Sequence, residues 1–173
     1  PLREWEFKTR EQILEYAKAN RLPISTDVLA TFSSDRNLWG TRTGGGILDD
    51  PNLEPPPEVY QITVDPKKAP EEPAQVEIEF DQGEPVSLDG VKMTAEDLVG
   101  KLEKLAGKHG IGRADTMENR ILGFKSREVY EAPAATVLYE AHNAIEQLTQ
   151  DNELYAFKQV CSQRYSKCVY DSQ

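Results

Sequence analysis

Seven of the 11 prolines fall between Pro51 and Pro73. Proline lacks an amide hydrogen and has a fixed φ, which excludes this stretch from regular helix and from a central strand. Within it Tyr60, Ile62 and Val64 alternate, and that alternation predicts one edge strand. The flanking segments are short, and a 173-residue chain buries roughly 70% of its extended surface as one unit. The expected organisation is therefore one domain, residues 1–173, with the proline-rich stretch 51–73 as an excursion over its surface.

Periodicity supplies the other elements. Residues 9–20 open on a capping box, Thr9 with Gln12, and carry Ile13, Tyr16 and Ala17 at helical spacing. Residues 30–50 read mostly as loop, with Gly44-Gly45-Gly46 as a flexible turn. Val76, Ile78 and Phe80 alternate with Glu77 and Glu79. A turn at Asp81-Gln82-Gly83 and a second alternation at Val86 and Leu88 complete an antiparallel hairpin. Thr94 caps a helix with Leu98, Leu102 and Leu105 inward, stopped at Lys108-His109-Gly110. Residues 113–131 hold eight charges without helical period and read as two short strands, or a strand and a loop, around Gly123. Pro133 starts a third helix with Val137, Ala141, Ile145 and Leu148 on its apolar face. Asp151 caps a fourth carrying Leu154, Phe157, Cys161, Tyr165 and Cys168. Hairpins and helices in separate runs predict an α+β fold with antiparallel strands and about four amphipathic helices.

Charge and side-chain counts remove several functions. Twenty basic against 30 acidic residues leave a net charge of −10, which disfavours nucleic acid or an anionic membrane as partner. No apolar run approaches the roughly 20 residues of a membrane span, and no signal peptide opens the chain; the two cysteines read as small apolar residues, and a cytoplasmic location is expected. The start at Pro1 rather than Met suggests a fragment or a processed product. Cys161 and Cys168, seven residues apart in a helix, have Cα atoms separated by about 10.5 Å. A disulfide needs less than about 7 Å, so they read as free thiols. Two cysteines with His109 and His142 are too few and too scattered for a zinc site. His109 reads as a helix C-cap, and His142 as a half-buried helix residue one turn before Glu146.

Nucleotide and nucleophile motifs are missing: Gly44-Gly45-Gly46-Ile47 lacks the Lys-Ser/Thr of a phosphate loop, and no Gly-x-Ser-x-Gly occurs. The 113–131 segment is richer. Glu118, Asn119, Arg120, Lys125, Ser126, Arg127, Tyr130 and Glu131 bring carboxylate, guanidinium, ammonium, amide and hydroxyl groups into fourteen residues. A zwitterionic amino acid needs such a mixture, although composition alone favours a solvated charged hairpin with weak surface pairs.

The wording of these residues goes further than their composition. The stretch from Gly110 to Ala135, Gly-Ile-Gly-Arg-Ala-Asp-Thr-Met-Glu-Asn-Arg-Ile-Leu-Gly-Phe-Lys-Ser-Arg-Glu-Val-Tyr-Glu-Ala-Pro-Ala-Ala, resembles the signature of argininosuccinate synthases. Arg3-Glu4-Trp5-Glu6-Phe7 with Arg10-Glu11 is similar to the family's entry into its synthetase domain. Ser33-Ser-Asp-Arg-Asn-Leu-Trp-Gly40 and Gly46-Ile-Leu-Asp-Asp-Pro51 resemble its substrate loop. The matches keep the family's order across nearly the whole chain.

The resemblance implies a cytosolic homotetrameric ligase that joins citrulline to aspartate, with ATP and Mg as co-substrate and AMP and pyrophosphate as products. It implies a citrulline site at Ser33, Glu118 and Tyr130: an ionic contact from Glu118, and neutral hydrogen bonds from Tyr130 and Ser33. Arg42 stands where the family carries a second citrulline serine, and Gly44 where it carries a glutamate. The family's amino-terminal Ser-Gly-Gly-x-Asp-Thr-Ser loop and its Gly-Asn-Asp element do not occur here. The chain is thus expected to be the synthetase and multimerisation part, trimmed at both ends, with no catalytic residue, metal site or ATP site of its own. The alternatives are a non-catalytic binding or assembly module of the same fold, and an acidic domain with no small-molecule site.

Overall fold

In the computed structural model, residues 4–23 and 32–173 are described. Arg3 of the first resembling stretch lies outside the described residues, as do residues 30 and 31 of the expected loop. The elements are α1 (Arg10–Ala19), β1 (Ser33–Asn37), β2 (Gly40–Gly44), β3 (Ile78–Asp81), β4 (Glu84–Leu88), β5 (Val91–Lys92), α2 (Ala95–Lys108), β6 (Arg113–Asn119), β7 (Lys125–Glu131), α3 (Pro133–Thr149) and α4 (Asn152–Tyr170). They form an α+β fold with two antiparallel sheets, one ordered β1-β2-β7-β6 and one ordered β3-β4-β5.

Local signals explain most boundaries. The capping box at Thr9 and Gln12 is formed, and Thr94 and Asp151 cap α2 and α4 through Asp97 N and Leu154 N. At the end of α2, His109 is the cap. Gly110 N bonds Gly107 O and Ile111 N bonds Ala106 O, a closure that needs the left-handed φ of +71° at Gly110. Residues 113–131 resolve into two seven-residue strands, with Gly123 at φ +90° in the turn between them.

Two hydrophobic clusters hold the fold. Leu98, Val99 and Leu102 of α2 pack with Ala134 and Leu138 of α3 and with Leu88, and Val76, Ile78 and Phe80 line the edge as the alternation predicts. The second cluster, Phe32, Leu48, Val59 and Val129 with Tyr60, covers one face of the four-stranded sheet. The proline-rich stretch thus sends Val59, fully buried, against that face.

Four expectations are corrected. Residues 33–44 are a strand pair rather than loop, joined through Leu38 and Trp39 with the Asn37 Oδ1 accepting from Trp39 N at 2.8 Å. The hydrophobic pattern missed it because β1 is exposed throughout and the buried positions of β2 are glycines and threonines, Gly40, Thr41, Thr43 and Gly44. Gly44 accordingly ends β2 instead of opening a flexible turn, and Gly46–Asp49 form a 3-10 turn. Residues 60–64 are not a strand: the amides of Gln61, Ile62 and Thr63 all donate to one carboxylate, Glu131, at 2.7, 3.1 and 2.8 Å. Those amides therefore have no free hydrogen for a neighbouring strand.

The apolar faces of the last two helices are also less buried than their spacing predicts. In α3, Ala134 and Leu138 are buried while Leu148 is 85% exposed, because α2 covers only the first half of the helix. Helix α4 buries no residue and leaves Leu154, Phe157, Val160, Tyr165 and Val169 exposed. Its contact with α3 is polar: Lys158 pairs with Glu146, which is also 3.3 Å from His142 Nδ1, and Tyr155 donates to Asn143 Oδ1 at 2.7 Å. Cys161 and Cys168 are free thiols. No helix among the described residues is long and apolar enough to cross a membrane.

Candidate functional site

Cross-strand partners in an antiparallel sheet point to the same face, and the register therefore sorts the side chains. On β7, Val129 and Glu131 share a face with Thr41 and Thr43, the face covered by the second cluster. The other face carries Tyr130 opposite Arg42, Glu128 opposite Gly44, and Ser126 opposite Glu118. Ser33, opposite Gly44, and Asp35, opposite Arg42, extend the row onto β1. Ser33, Arg42, Glu118 and Tyr130 thus lie on one face of one sheet, although 97 residues separate the first from the last.

Direct contact is closest at the β6–β7 end. The Tyr130 hydroxyl donates to Glu118 Oε1, and burial together with this bond and the nearby charge pushes the phenol up to about 12. Arg120 stands 3.5 Å from Glu118 Oε2 through Nη1, bonds Ser126 Oγ at 2.7 Å through Nε, and donates from Nη2 to Glu128 Oε1. The same Glu128 oxygen meets Arg42 Nη2 at 3.0 Å, while Arg42 Nη1 reaches Asp35 Oδ2 at 2.7 Å. The hydrogen bond to Glu128 raises the Arg42 guanidinium above its ordinary range and keeps it charged. Ser33 is exposed and its hydroxyl makes no hydrogen bond among the described residues; it shares the face but not the network.

Glu128, Asp35 and Tyr170 are participants that reading the sequence did not single out. Glu128 is 3% exposed, a burial tolerable for a carboxylate only beside compensating charge, which two guanidiniums provide. Its position depends on Gly44, where a Cβ would collide with the Glu128 carboxylate. Glu128 Oε2 and Arg42 Nε are buried without hydrogen-bond partners. The available signal was the alternation Ser126, Glu128, Tyr130, which assigns one face once the Gly123 turn fixes the hairpin register. Tyr170, at the end of α4, carried no such signal.

Three carboxylates (Asp35, Glu118, Glu128) alternate with two guanidiniums (Arg42, Arg120) along this face, and the phenols of Tyr130 and Tyr170 meet at Glu118. The net charge of −1 in this row favours a cationic group over an anionic one. Among the described residues no group of three or more histidine, cysteine, aspartate or glutamate side chains is positioned to hold a metal ion. A cleft of about 660 Å3 lies elsewhere, lined by Pro55, Pro56, Pro57, Tyr60, Lys67 and Arg113 among others, and includes none of the four residues. Arg113 pairs in register with Glu131 and so belongs to the covered face, where it stacks 3.7 Å from the Tyr60 ring and bonds Thr63. That cleft is a separate feature.

Comparison with known proteins bears on this geometry. The model of the arginosuccinate synthase C-terminal domain matches residues 32–173. Argininosuccinate synthase of Chlorobium luteolum is 47% identical over 171 residues, covering 99% of this chain and 43% of that protein. The proteins of the same name from Chlorobium phaeobacteroides and Carboxydothermus hydrogenoformans are each 47% identical over 171 residues, with 42% and 43% of their lengths covered and 99% of this chain in both cases. The chain therefore spans less than half the length of these curated relatives. A domain model spanning both sheets and the last three helices, and near-half identity across almost every residue, lead to one conclusion: the chain belongs to the argininosuccinate synthase family.

Proposed function

We propose that this chain supplies the citrulline side of an argininosuccinate synthase, a cytoplasmic ligase of arginine biosynthesis. The overall reaction joins citrulline and aspartate at the expense of ATP, with release of AMP and pyrophosphate. ATP, taken up with Mg2+, activates the ureido oxygen of citrulline by adenylation, and the aspartate amine then displaces AMP. The contribution of these residues is binding and orientation. Glu118 pairs with the citrulline ammonium, and Tyr130 and Ser33 offer neutral hydrogen bonds. Arg42, at the family's serine position, is itself held between Asp35 and Glu128.

The observation carrying this reading is the contact between Tyr130 and Glu118 from adjacent strands, on the same face as Ser33 and Arg42. The exposed β1 end of that face, with Ser33 and Asp35, suits a half-site completed by another part of the enzyme. The Gly44–Gly46 segment continues into a 3-10 turn ending at Asp49, with Asp50 next, a negative surround unsuited to phosphate. ATP is accordingly assigned to that other part, and this chain is inactive alone. The exposed apolar face of α4 supports assembly of copies into the family's tetramer.

Calorimetric titration of citrulline into the intact protein tests the reading. Binding heat is expected, and Glu118→Ala should weaken it roughly 10- to 100-fold, the worth of a charge-assisted bond. Absence of heat in the native protein rejects the site and favours the second reading, a non-catalytic assembly module. That reading draws support from Arg42 and from the exposed face of α4.

A further inference from the structure

Among the described residues, helix α4 meets the candidate site through one side chain. Tyr170, in its last turn, lies with its hydroxyl 3.2 Å from Glu118 Oε2 and 3.2 Å from Asn119 O. We infer that Tyr170 is a positioning residue for Glu118, orienting the carboxylate that receives the ammonium of an amino-acid ligand. The inference rests on the citrulline reading above and adds to it a residue from a different element.

The argument is geometric. An ionised carboxylate offers about four lone-pair directions. In Glu118 one oxygen is taken by the Tyr130 hydroxyl, and the other faces Tyr170 and, at 3.5 Å, Arg120. Two phenols approaching from opposite elements, β7 and α4, fix the carboxylate plane, and the remaining direction is left for a ligand cation. Tyr130 alone would leave the Oε2 side to Arg120, which is already shared with Glu128 and Ser126. Arg120 would then draw the carboxylate toward Glu128 and away from the open face. A single phenolic hydrogen serves one acceptor at a time, and the Asn119 carbonyl is the alternative acceptor, part of the same strand. The helix is therefore tied to β6 whichever bond forms.

The test compares two ligands on the intact protein: citrulline, and 5-ureidopentanoic acid, which is citrulline without its α-ammonium. Tyr170→Phe keeps the ring and removes only the hydroxyl. It should weaken citrulline binding about 5- to 10-fold and leave the analogue's affinity unaltered, since Glu118 meets only the ammonium. In the Glu118→Gln background the effect of Tyr170→Phe on citrulline should vanish, the signature of two residues acting through one contact. Unaltered citrulline affinity in Tyr170→Phe overturns the inference, and so does an equal loss for both ligands, which marks a purely structural role. If the native protein binds neither ligand, the citrulline reading fails first and the inference falls with it. If the native protein binds both and only the Tyr170→Phe result is negative, the citrulline reading stands.

Discussion

Replacing Glu131 by glutamine is the most demanding test of how this sheet is held. Glu131 is 1% exposed and accepts five hydrogen bonds: Gln61 N at 2.7 Å, Ile62 N at 3.1 Å, Thr63 N at 2.8 Å, Thr63 Oγ1 at 2.5 Å and Thr41 Oγ1 at 3.2 Å. The better orientation of a glutamine keeps its carbonyl oxygen toward Ile62 and Thr63. Its NH2 then faces the Thr41 hydroxyl, which can turn to accept, and the Gln61 amide, which cannot. Three retained bonds fall from charge-assisted to neutral, about 1 kcal/mol each, and the orphaned Gln61 amide adds about 1–3 kcal/mol. The expected loss is roughly 4–6 kcal/mol, a large share of the 5–15 kcal/mol that holds a typical domain. Deuterium exchange on the intact protein reads it locally: peptides spanning residues 58–65 should exchange about a thousandfold faster in Glu131→Gln, the equivalent of about 4 kcal/mol. Unchanged exchange across these residues, with an unchanged melting temperature, would refute the assignment of the three amides to this carboxylate.

Two further outcomes follow from the site. Gly44→Ala places a methyl group against the Glu128 carboxylate and should destabilise the protein by about 1–3 kcal/mol, as overpacking does. In a melting-temperature cycle with Glu128→Ala the penalty should largely disappear, and simple additivity would show that the two positions do not share the space. Tyr130, pushed up to about 12, should titrate last when the seven tyrosines are followed by tyrosinate absorbance, after Tyr60, which burial also raises, and Tyr130→Phe should remove that last phase. A folded-state value above the unfolded one near 10 stabilises the fold fully below pH 10, and that contribution fades as the pH climbs toward 12. Identical late phases in native and variant protein would show that Tyr130 titrates as an ordinary phenol.

What was legible in the sequence tracks how local its cause is. The capping box at Thr9, the hairpin from Ile78 to Leu88, helix α2 with its Gly110 closure, and the start of α3 at Pro133 are each written within a few residues of where they occur. The β1–β2 pair is not, because its buried positions are glycines and threonines, the threonines bonded across strands and loops: Thr41 to Glu131, and Thr43 to Ser34 and Gln61. The same long-range carboxylate turns Tyr60–Val64 from an apparent strand into a bonded loop. Of the site, Glu118 and Tyr130 were legible through the signature that contains them. Ser33 was named on the same ground, and the register then assigned it to their face without giving its hydroxyl a partner.

Arg42 shows why the remainder required three dimensions. Read in line, an arginine at a serine position turns a hydroxyl into a cation and threatens a pocket meant for an ammonium. Read across the sheet, the same arginine is bracketed by Asp35 and Glu128, and Glu128 occupies the space that Gly44 leaves vacant on the adjacent strand. The guanidinium is thereby neutralised inside the row, and the face keeps its net negative charge. Gly44 and Glu128 are thus best understood as one feature with Arg42: a side chain at position 44 would expel the carboxylate, and without it two guanidiniums would face each other beside Glu118. An ammonium entering there would then meet net repulsion, which makes the pairing of a glycine on β2 with a glutamate on β7 the condition under which Arg42 is compatible with the ammonium-binding role proposed for Glu118.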